Sequence, residues 1–388
     1  RWSSLYKSIA RATKVIQALD NGSATGISES KVNQYKGEAY FMLGFAYCEL
    51  TAYYGDCVLN KGMTLDEAYV ATRSPKNEVL AYAFECLDKA AEYLPNSYKG
   101  QQRPTKGAAL GFKARFALFH EDWQTAVDAA QKCMDLGVYK LHDNYREMFQ
   151  ATSSPEFMFY FKGDLTLKKG YGFMENVRDF VIRKIGGHCN KSPSLELFCS
   201  YTCTDGLPID KSPLYNPKDP FANRDPRLAM TIQPFKTKYS ADYAEYEQSK
   251  KDGTFPEKYP DYITLGYEFN LSPYANTVYE VSTGKMVVNT DSKASNQHSA
   301  YNGLILRKFV KDDWKDFNNY NLKADNCYPY LRYAEVLMTY VEAKNEMGQC
   351  TQDDLDKTIN LIRERAYRET GIAYPRVEVQ SQEALRKI

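Results

Sequence analysis

The feature that most constrains this chain is a succession of apolar stripes at helical spacing, each closed by a glycine or proline and followed by another. Between Asn33 and Tyr54 the residues Tyr35, Ala39, Met42, Leu43, Ala46, Leu50 and Tyr53 recur three or four apart, and Gly55 ends the run. Ser74-Pro75 reads as an N-cap and first helical residue for a second stripe, Leu80, Phe84, Leu87, Ala91 and Leu94, which Pro95 closes. Thr105 caps a third helix from Ala108 to Phe119. The charged break His120-Glu121-Asp122 then turns the chain into a fourth, Trp123 to Leu136, stopped by Gly137. Near the C-terminus Tyr330 to Met347 reads as a helix ending at Gly348, and Thr351 with Asp354 opens another over Asp353 to Arg368.

A helix with one apolar face cannot bury it alone, so successive hairpins are expected to stack. The fold class this predicts is mainly α: an array of helical hairpins, similar in shape to tetratricopeptide repeats, although the Trp-Leu-Gly-Tyr signature of that repeat is not followed. From Ala151 to Asn326 the pattern changes to Pro, Gly, Asn, Asp and Tyr around short apolar runs, Phe157 to Phe161 and Leu304 to Val310. A structureless stretch of that length is unusual, so short strands, short helices and ordered loops packed on the helices are expected there. The division is therefore 1–150 helical, 151–326 loop-rich and ligand-binding, and 327–388 a hairpin completing the helical part. The opening Arg1-Trp2 lacks an initiator Met, and Ser381 to Ile388 looks like a capped helix start, so the sequence reads as an interior piece of a longer protein.

Composition excludes several function classes. Fifty Lys and Arg against 49 Asp and Glu leave a net charge of +1, with no basic surplus for nucleic acid. Mean hydropathy is -0.57 and no run approaches 18 apolar residues, so no membrane-spanning helix is expected. There is no phosphate loop, zinc-protease motif or serine elbow, and Gly170-Tyr171-Gly172 lacks the third glycine of a dinucleotide fingerprint. The four histidines are scattered. His188-Cys189 with Cys199 and Cys203 is the one group with a metal flavour, but no second Cys-x2-Cys pair supports it. Buried thiols or a local disulfide are favoured, and neither metal nor cofactor is expected. Acid groups such as Asp205 with Asp210, or Asp312-Asp313 with Asp316, match a glycosidase pair on paper, but a chain with 49 acids supplies them by chance.

Tyrosine is the outlier, with 32 residues against 19 Phe and 3 Trp. Its apolar face and polar tip suit helix packing and wet binding surfaces alike. In the middle segment Tyr267, Tyr274, Tyr279, Tyr301, Trp314, Phe317 and Tyr320 stand among Asn, Asp, Ser and Gly, a mixture that stacks flat rings on a ligand while polar side chains bond its edges. Tyr274, Tyr279, Tyr301, Trp314 and Tyr320 are the candidate ligand arc.

An ordered set of short motifs resembles the SusD/RagB family of Bacteroidetes glycan-binding lipoproteins. These are Glu38-Ala39-Tyr40-Phe41 through Tyr54-Gly55-Asp56; Arg103-Pro104-Thr105-Lys106-Gly107-Ala108 leading to Ala114-Arg115; Asp205-Gly206; Asn223-Arg224-Asp225-Pro226-Arg227-Leu228; Leu331-Arg332-Tyr333-Ala334-Glu335-Val336 with Glu342-Ala343; and Asn360 to Arg363 with Arg365-Ala366. Leu43 stands where the family usually has Arg, and Cys57-Val58 follows Tyr-Gly-Asp without the customary Pro. The resemblance implies a tetratricopeptide-like layer under a variable ligand-binding part. It further implies a surface-exposed, lipid-anchored outer-membrane receptor without catalysis, which captures oligosaccharide for a SusC-like TonB-dependent transporter; some members take peptides. No family motif fixes binding residues. A helical-repeat receptor or scaffold for a peptide or protein partner is the alternative reading. The spacing of Arg332 and Glu335, with Arg363 on the partner helix, predicts a charged network where helices cross. Asn223 to Arg227 is expected to lock the middle segment onto the helices.

Overall fold

The computed structural model describes residues 1–98, 102–162, 179–180, 188–234, 277–280, 285–288, 304–310 and 326–388. Its spine is a continuous stack of helices: α1 (Trp2–Asp20) on α2 (Glu29–Tyr54), α2 on α4 (Lys76–Tyr93), α4 on α5 (Lys106–Phe119), and α5 on α6 (Trp123–Asp135). The short α3 (Leu65–Val70) bridges α2 and α4 in sequence, and α7 (Tyr145–Met148) follows α6. In the middle segment lie β1 (Phe157–Phe161), α8 (Leu195–Ser200), α9 (Pro226–Thr231), β2 (Thr277–Glu280) and β3 (Lys285–Val288). The C-terminal part holds β4 (Tyr328–Arg332), α10 (Tyr333–Glu346), α11 (Gln352–Leu355), a π-helical turn (Asp356–Asn360), α12 (Leu361–Tyr367) and α13 (Gln382–Leu385). Helix α10 packs against α6 and so extends the stack with a helix about 200 residues further along the chain. This is the tetratricopeptide-like array of hairpins that the stripes predict.

The apolar stripes become one core, with Phe41, Leu43, Tyr47 and Leu50 of α2, Leu87 of α4 and Phe112 of α5 fully buried. Close approach of α2 and α4 depends on Gly44, where an added Cβ would stand 2.6 Å from Leu87 Cγ and 2.8 Å from the Ala83 carbonyl oxygen. Thr105 caps α5 by accepting the Ala108 amide, as expected, and Gly55 closes α2 with φ +69°. Ser74 is not the cap of α4. It pairs in a β-bridge with Cys57, Pro75 takes the cap position, and the Asp56 carboxylate reaches across the chain to accept the Lys76 amide at 2.8 Å. The Asp of the Tyr-Gly-Asp motif thus serves the start of the next helix.

The C-terminal hairpin differs from expectation at both helices. Tyr330 to Arg332 are strand rather than helix, because β4 pairs antiparallel with β1 (Phe157 opposite Arg332, Phe159 opposite Leu331) and this two-stranded sheet lies on α5. The contact is aromatic: Phe112 sits 5.6 Å from Phe159 and 5.9 Å from Tyr330 between ring centroids. The second helix is interrupted at Asp356–Asn360 by a π turn, which presents Asn360 to clamp the returning chain. Asn360 Nδ2 donates to the Val377 carbonyl at 2.9 Å, and its Oδ1 accepts the Val377 amide at 2.7 Å.

The predicted charged network exists with other partners. Arg332 turns to Glu156, not Glu335, because as the last strand residue it points along the sheet to the residue preceding β1. Glu335 pairs instead with Arg115 of α5, and Arg363 donates to the Pro375 carbonyl at 2.8 Å. Glu156 is fully buried. Its Oε1 accepts from Arg332 Nη1 at 2.7 Å and its Oε2 from Arg365 Nη1 and the His142 amide, each at 2.9 Å, while its own carbonyl accepts the Tyr333 amide at 3.0 Å. One carboxylate thereby joins α6's exit, β1, the start of α10 and α12.

Removing that carboxylate leaves the buried Arg365 and the partly buried Arg332 without their shared anion. Glu156→Ala is expected to cost about 3–5 kcal/mol in chemical denaturation; a loss under about 1 kcal/mol would show that water or other groups satisfy the arginines. The second hairpin carries a pH-dependent contact. Burial raises the Asp354 carboxyl, but bonds from the Thr351 hydroxyl and amide, from Lys357 and from the Tyr340 hydroxyl outweigh it and hold the group at about 2. A depressed carboxyl stabilises the fold above its unfolded value near 4 and loses that contribution as pH falls towards 2. Asp354→Asn is therefore expected to be about 2 kcal/mol less stable at neutral pH, with the gap from the parent closing between about pH 4 and pH 2. A gap independent of pH would contradict it.

Candidate functional site

Of the candidate arc, Tyr279 lies on β2, opposite Met286 of β3 in an antiparallel ribbon. Tyr274, Tyr301, Trp314 and Tyr320, like Tyr267 and Phe317, lie outside the described residues.

Gly206, the Asn223–Arg227 turn with α9, and Arg363 lie close together where the middle segment meets the C-terminal hairpin. Arg224 is buried and donates to the carbonyls of Pro220, Phe198 and Tyr201 at 2.8–2.9 Å. Asp225 caps α9 through the Arg227 amide and holds the Arg227 guanidinium at 2.6 and 2.9 Å. Helix α9 packs on α12. Gly206 turns at φ +83° where a Cβ would stand 2.8 Å from Pro375 Cβ, so only glycine lets the Asp205 turn seat against the irregular segment that Arg363 and Asn360 hold. The hydrogen bonds of Asn223, Arg224, Asp225 and Arg227 brace the middle segment itself, and contact with the C-terminal hairpin comes from the packing of α9 on α12.

The other chemistry-bearing residues are absorbed similarly. Asp205 accepts from the Ser212 hydroxyl at 2.7 Å and the Leu207 amide at 3.0 Å, and Asp210 stands exposed beside Lys211. Asp312, Asp313 and Asp316 lie outside the described residues. His188 Nδ1 lies 3.2 Å from Asp179, which also pairs with Lys191. Burial raises the Asp179 carboxyl, but these two neighbours outweigh it and leave the group below its ordinary value. All nine cysteines are free thiols rather than disulfide partners. Burial pushes Cys86 and Cys133 up to about 12, so both are protonated and poor nucleophiles at neutral pH. No group of three metal-ligating side chains is gathered among the described residues.

Two concavities stand out among the described residues. The first is a groove of 380 Å³ between the α4–α5 connection and β1. Pro95 follows the end of α4, Pro104 precedes the Thr105 cap, and Gln102 ties this side of the groove to β1 by donating Nε2 to the Tyr160 carbonyl at 2.9 Å. Arg103 Nη1 and the Tyr98 hydroxyl both donate to Glu38 Oε1, at 3.0 and 3.4 Å. Burial and the nearby Glu38 push Tyr98 up to about 12. Tyr98, Tyr160 and Phe161 supply ring faces, with Phe161 52% exposed. The second concavity, 260 Å³, lies between α10, the π turn and α13 and is largely aliphatic, with Met338, Val341, Leu355 and Ile359 in its wall beside the charged Glu342, Glu346 and Arg386. The groove escapes a sequence reading because its halves lie about 60 residues apart. The only local signal is Asn96-Ser97-Tyr98, polar and aromatic residues between two prolines.

A tetratricopeptide-like helical stack with a loop-rich segment packed on its C-terminal hairpin defines a class of two-part, mainly helical folds. The SusD family model matches residues 161–387, more than half of the chain, and a second model, described as starch-binding associating with outer membrane, matches residues 1–118. The chain belongs to the SusD family. It is 24% identical over 390 residues to SusD-like protein P2 of Formosa agariphila, covering 96% of this chain and 63% of that protein. The chain thus spans less than two thirds of the length of this curated relative. Among solved structures it is similar over its whole length to a SusD-like carbohydrate binding protein from Bacteroides fragilis, at TM-score 0.74 and 25% identity, with 68% of that chain covered. The fold is also that of surface glycan-binding protein A from Bacteroides uniformis, at TM-score 0.60 and 16% identity, covering all of this chain and 69% of that one.

Proposed function

We propose that this chain belongs to a non-catalytic glycan receptor, lipid-anchored at the cell surface, that captures oligosaccharide at the outer membrane and delivers it to a SusC-like TonB-dependent transporter. The observation that carries the reading is the likeness along the entire chain to a SusD-like carbohydrate binding protein at TM-score 0.74. Two further features support it. The carboxylates of the Asp205 turn are engaged in backbone and hydroxyl bonds, which suits a turn rather than an acid–base pair. The outer-membrane setting comes from the description of the model matching residues 1–118.

In this reading the ligand lies across Tyr274, Tyr279, Tyr301, Trp314 and Tyr320. Each ring face contributes roughly 0.5–1.5 kcal/mol beyond burial, so a few rings bind in the micromolar to millimolar range, weak enough to hand the sugar on.

Native affinity electrophoresis against amylopectin, xyloglucan, arabinoxylan, galactan and mannan tests this, with the running buffer analysed for released sugars. Retardation by at least one polysaccharide without release of product is expected, and Trp314→Ala is expected to weaken that binding about two- to twelvefold. Released oligosaccharide would overturn the non-catalytic reading. Retardation by none of the five, with a peptide or protein partner co-purifying, would replace the glycan by that partner.

A further inference from the structure

We infer that the groove between the α4–α5 connection and β1 is a saccharide contact site, built from residues outside the 274–320 arc; the inference rests on the glycan-binding reading. Three observations carry it. The first is chemistry: the groove combines the rings of Tyr98, Tyr160 and Phe161 with the polar side chains of Asn96, Ser97 and Arg103. Pyranose rings have an apolar C–H face and a hydroxylated rim, and that pairing of flat ring with edge-bonding groups matches them. The aliphatic concavity at α10 and α13 shows the contrast, since its wall contains no aromatic ring.

The second observation is availability. Asn96 and Ser97 are exposed, and Phe161 leaves half its surface to solvent although its ring edge is packed on Phe159 and Tyr330. Arg103 uses Nη1 on Glu38 and makes no other hydrogen bond to a described residue. The third is preorganisation. Gln102 pins the connection to the Tyr160 carbonyl, the Thr105 hydroxyl shares a 2.8 Å bond with the Tyr139 hydroxyl, and Phe159 beneath is locked into the aromatic core. A site held this way loses little entropy on binding. The volume of 380 Å³ falls at the small end of the range for ligand sites, which fits a short stretch of saccharide rather than a long chain.

The test is calorimetric titration with maltohexaose, xylohexaose, laminarihexaose and mannohexaose in turn. The parent, Phe161→Ala, Asn96→Ala and Trp314→Ala are compared, with melting temperatures for each. Phe161 and Asn96 are exposed, so both variants are expected to melt with the parent; should Phe161→Ala melt lower, Asn96→Ala alone decides. The expected result is a loss of affinity of about two- to tenfold in the groove variants for the hexasaccharide the parent binds. Unchanged affinity in the groove variants, with Trp314→Ala weakened, would overturn the groove and leave the receptor reading standing. No binding of any hexasaccharide or polysaccharide by the parent would overturn both.

Discussion

The buried carboxylate of Glu156 is the contact on which the rest of the arrangement depends. A single fully buried acid receives Arg332 from the end of β4, Arg365 from α12 and the backbone amide of His142 beyond α6. Burial lowers the Arg365 guanidinium below its ordinary value, and Glu156 offsets part of that cost. An ion set of this kind adds little net stability over apolar packing but tolerates few alternative arrangements. Its effect is geometric: it fixes where the C-terminal hairpin meets the sheet, and therefore how the last helices close the stack.

From that fixed point two consequences follow. Towards the helices, β1 and β4 are held flat on α5, and Phe112, Phe159 and Tyr330 become a single aromatic layer. The edge of this layer is the floor of the groove beside Tyr98 and Phe161. Towards the middle segment, Arg363, two residues before Arg365, bonds the Pro375 carbonyl, Gly206 of the Asp205 turn seats against Pro375, and α9 packs on α12. Several of the family's scattered motifs, Asp205-Gly206, Asn223 to Arg227 and Arg363, thus meet in one clamp between scaffold and loops. Residues committed to such a clamp say which family this is and leave the ligand unspecified.

Local physics made much of the scaffold legible. Helices α2, α4, α5 and α6 each have an apolar stripe and a nearby stop, and the Thr105 cap and the Thr351–Asp354 capping box form as their spacing implies. Helix α1 went unread although Leu5, Ile9, Ala12 and Ile16 recur three and four apart, with Ile9 and Ala12 in the core. The errors come from distance along the chain. Tyr330 to Arg332 carry a helical pattern but pair with a strand about 170 residues earlier. Asp56 displaces Ser74 as the cap of α4 from 20 residues away. Glu156 has no local signature because its arginines lie 176 and 209 residues from it. For the site, composition drew attention to the tyrosine arc, whereas the groove is assembled by tertiary packing from segments that look unremarkable alone.

The central claim is that a rigid helical scaffold presents saccharide-binding surface from its loop-rich part, and hydrogen exchange read by mass spectrometry, with and without a saturating bound hexasaccharide, tests it most directly. Slowed exchange in peptides spanning 267–320, with the helices α2, α4 and α5 unchanged at their centres, is the predicted result. Saccharide bound at saturation with no protection in 267–320, and protection instead confined to the helical stack or to the joint around Arg224 and Arg363, would contradict it.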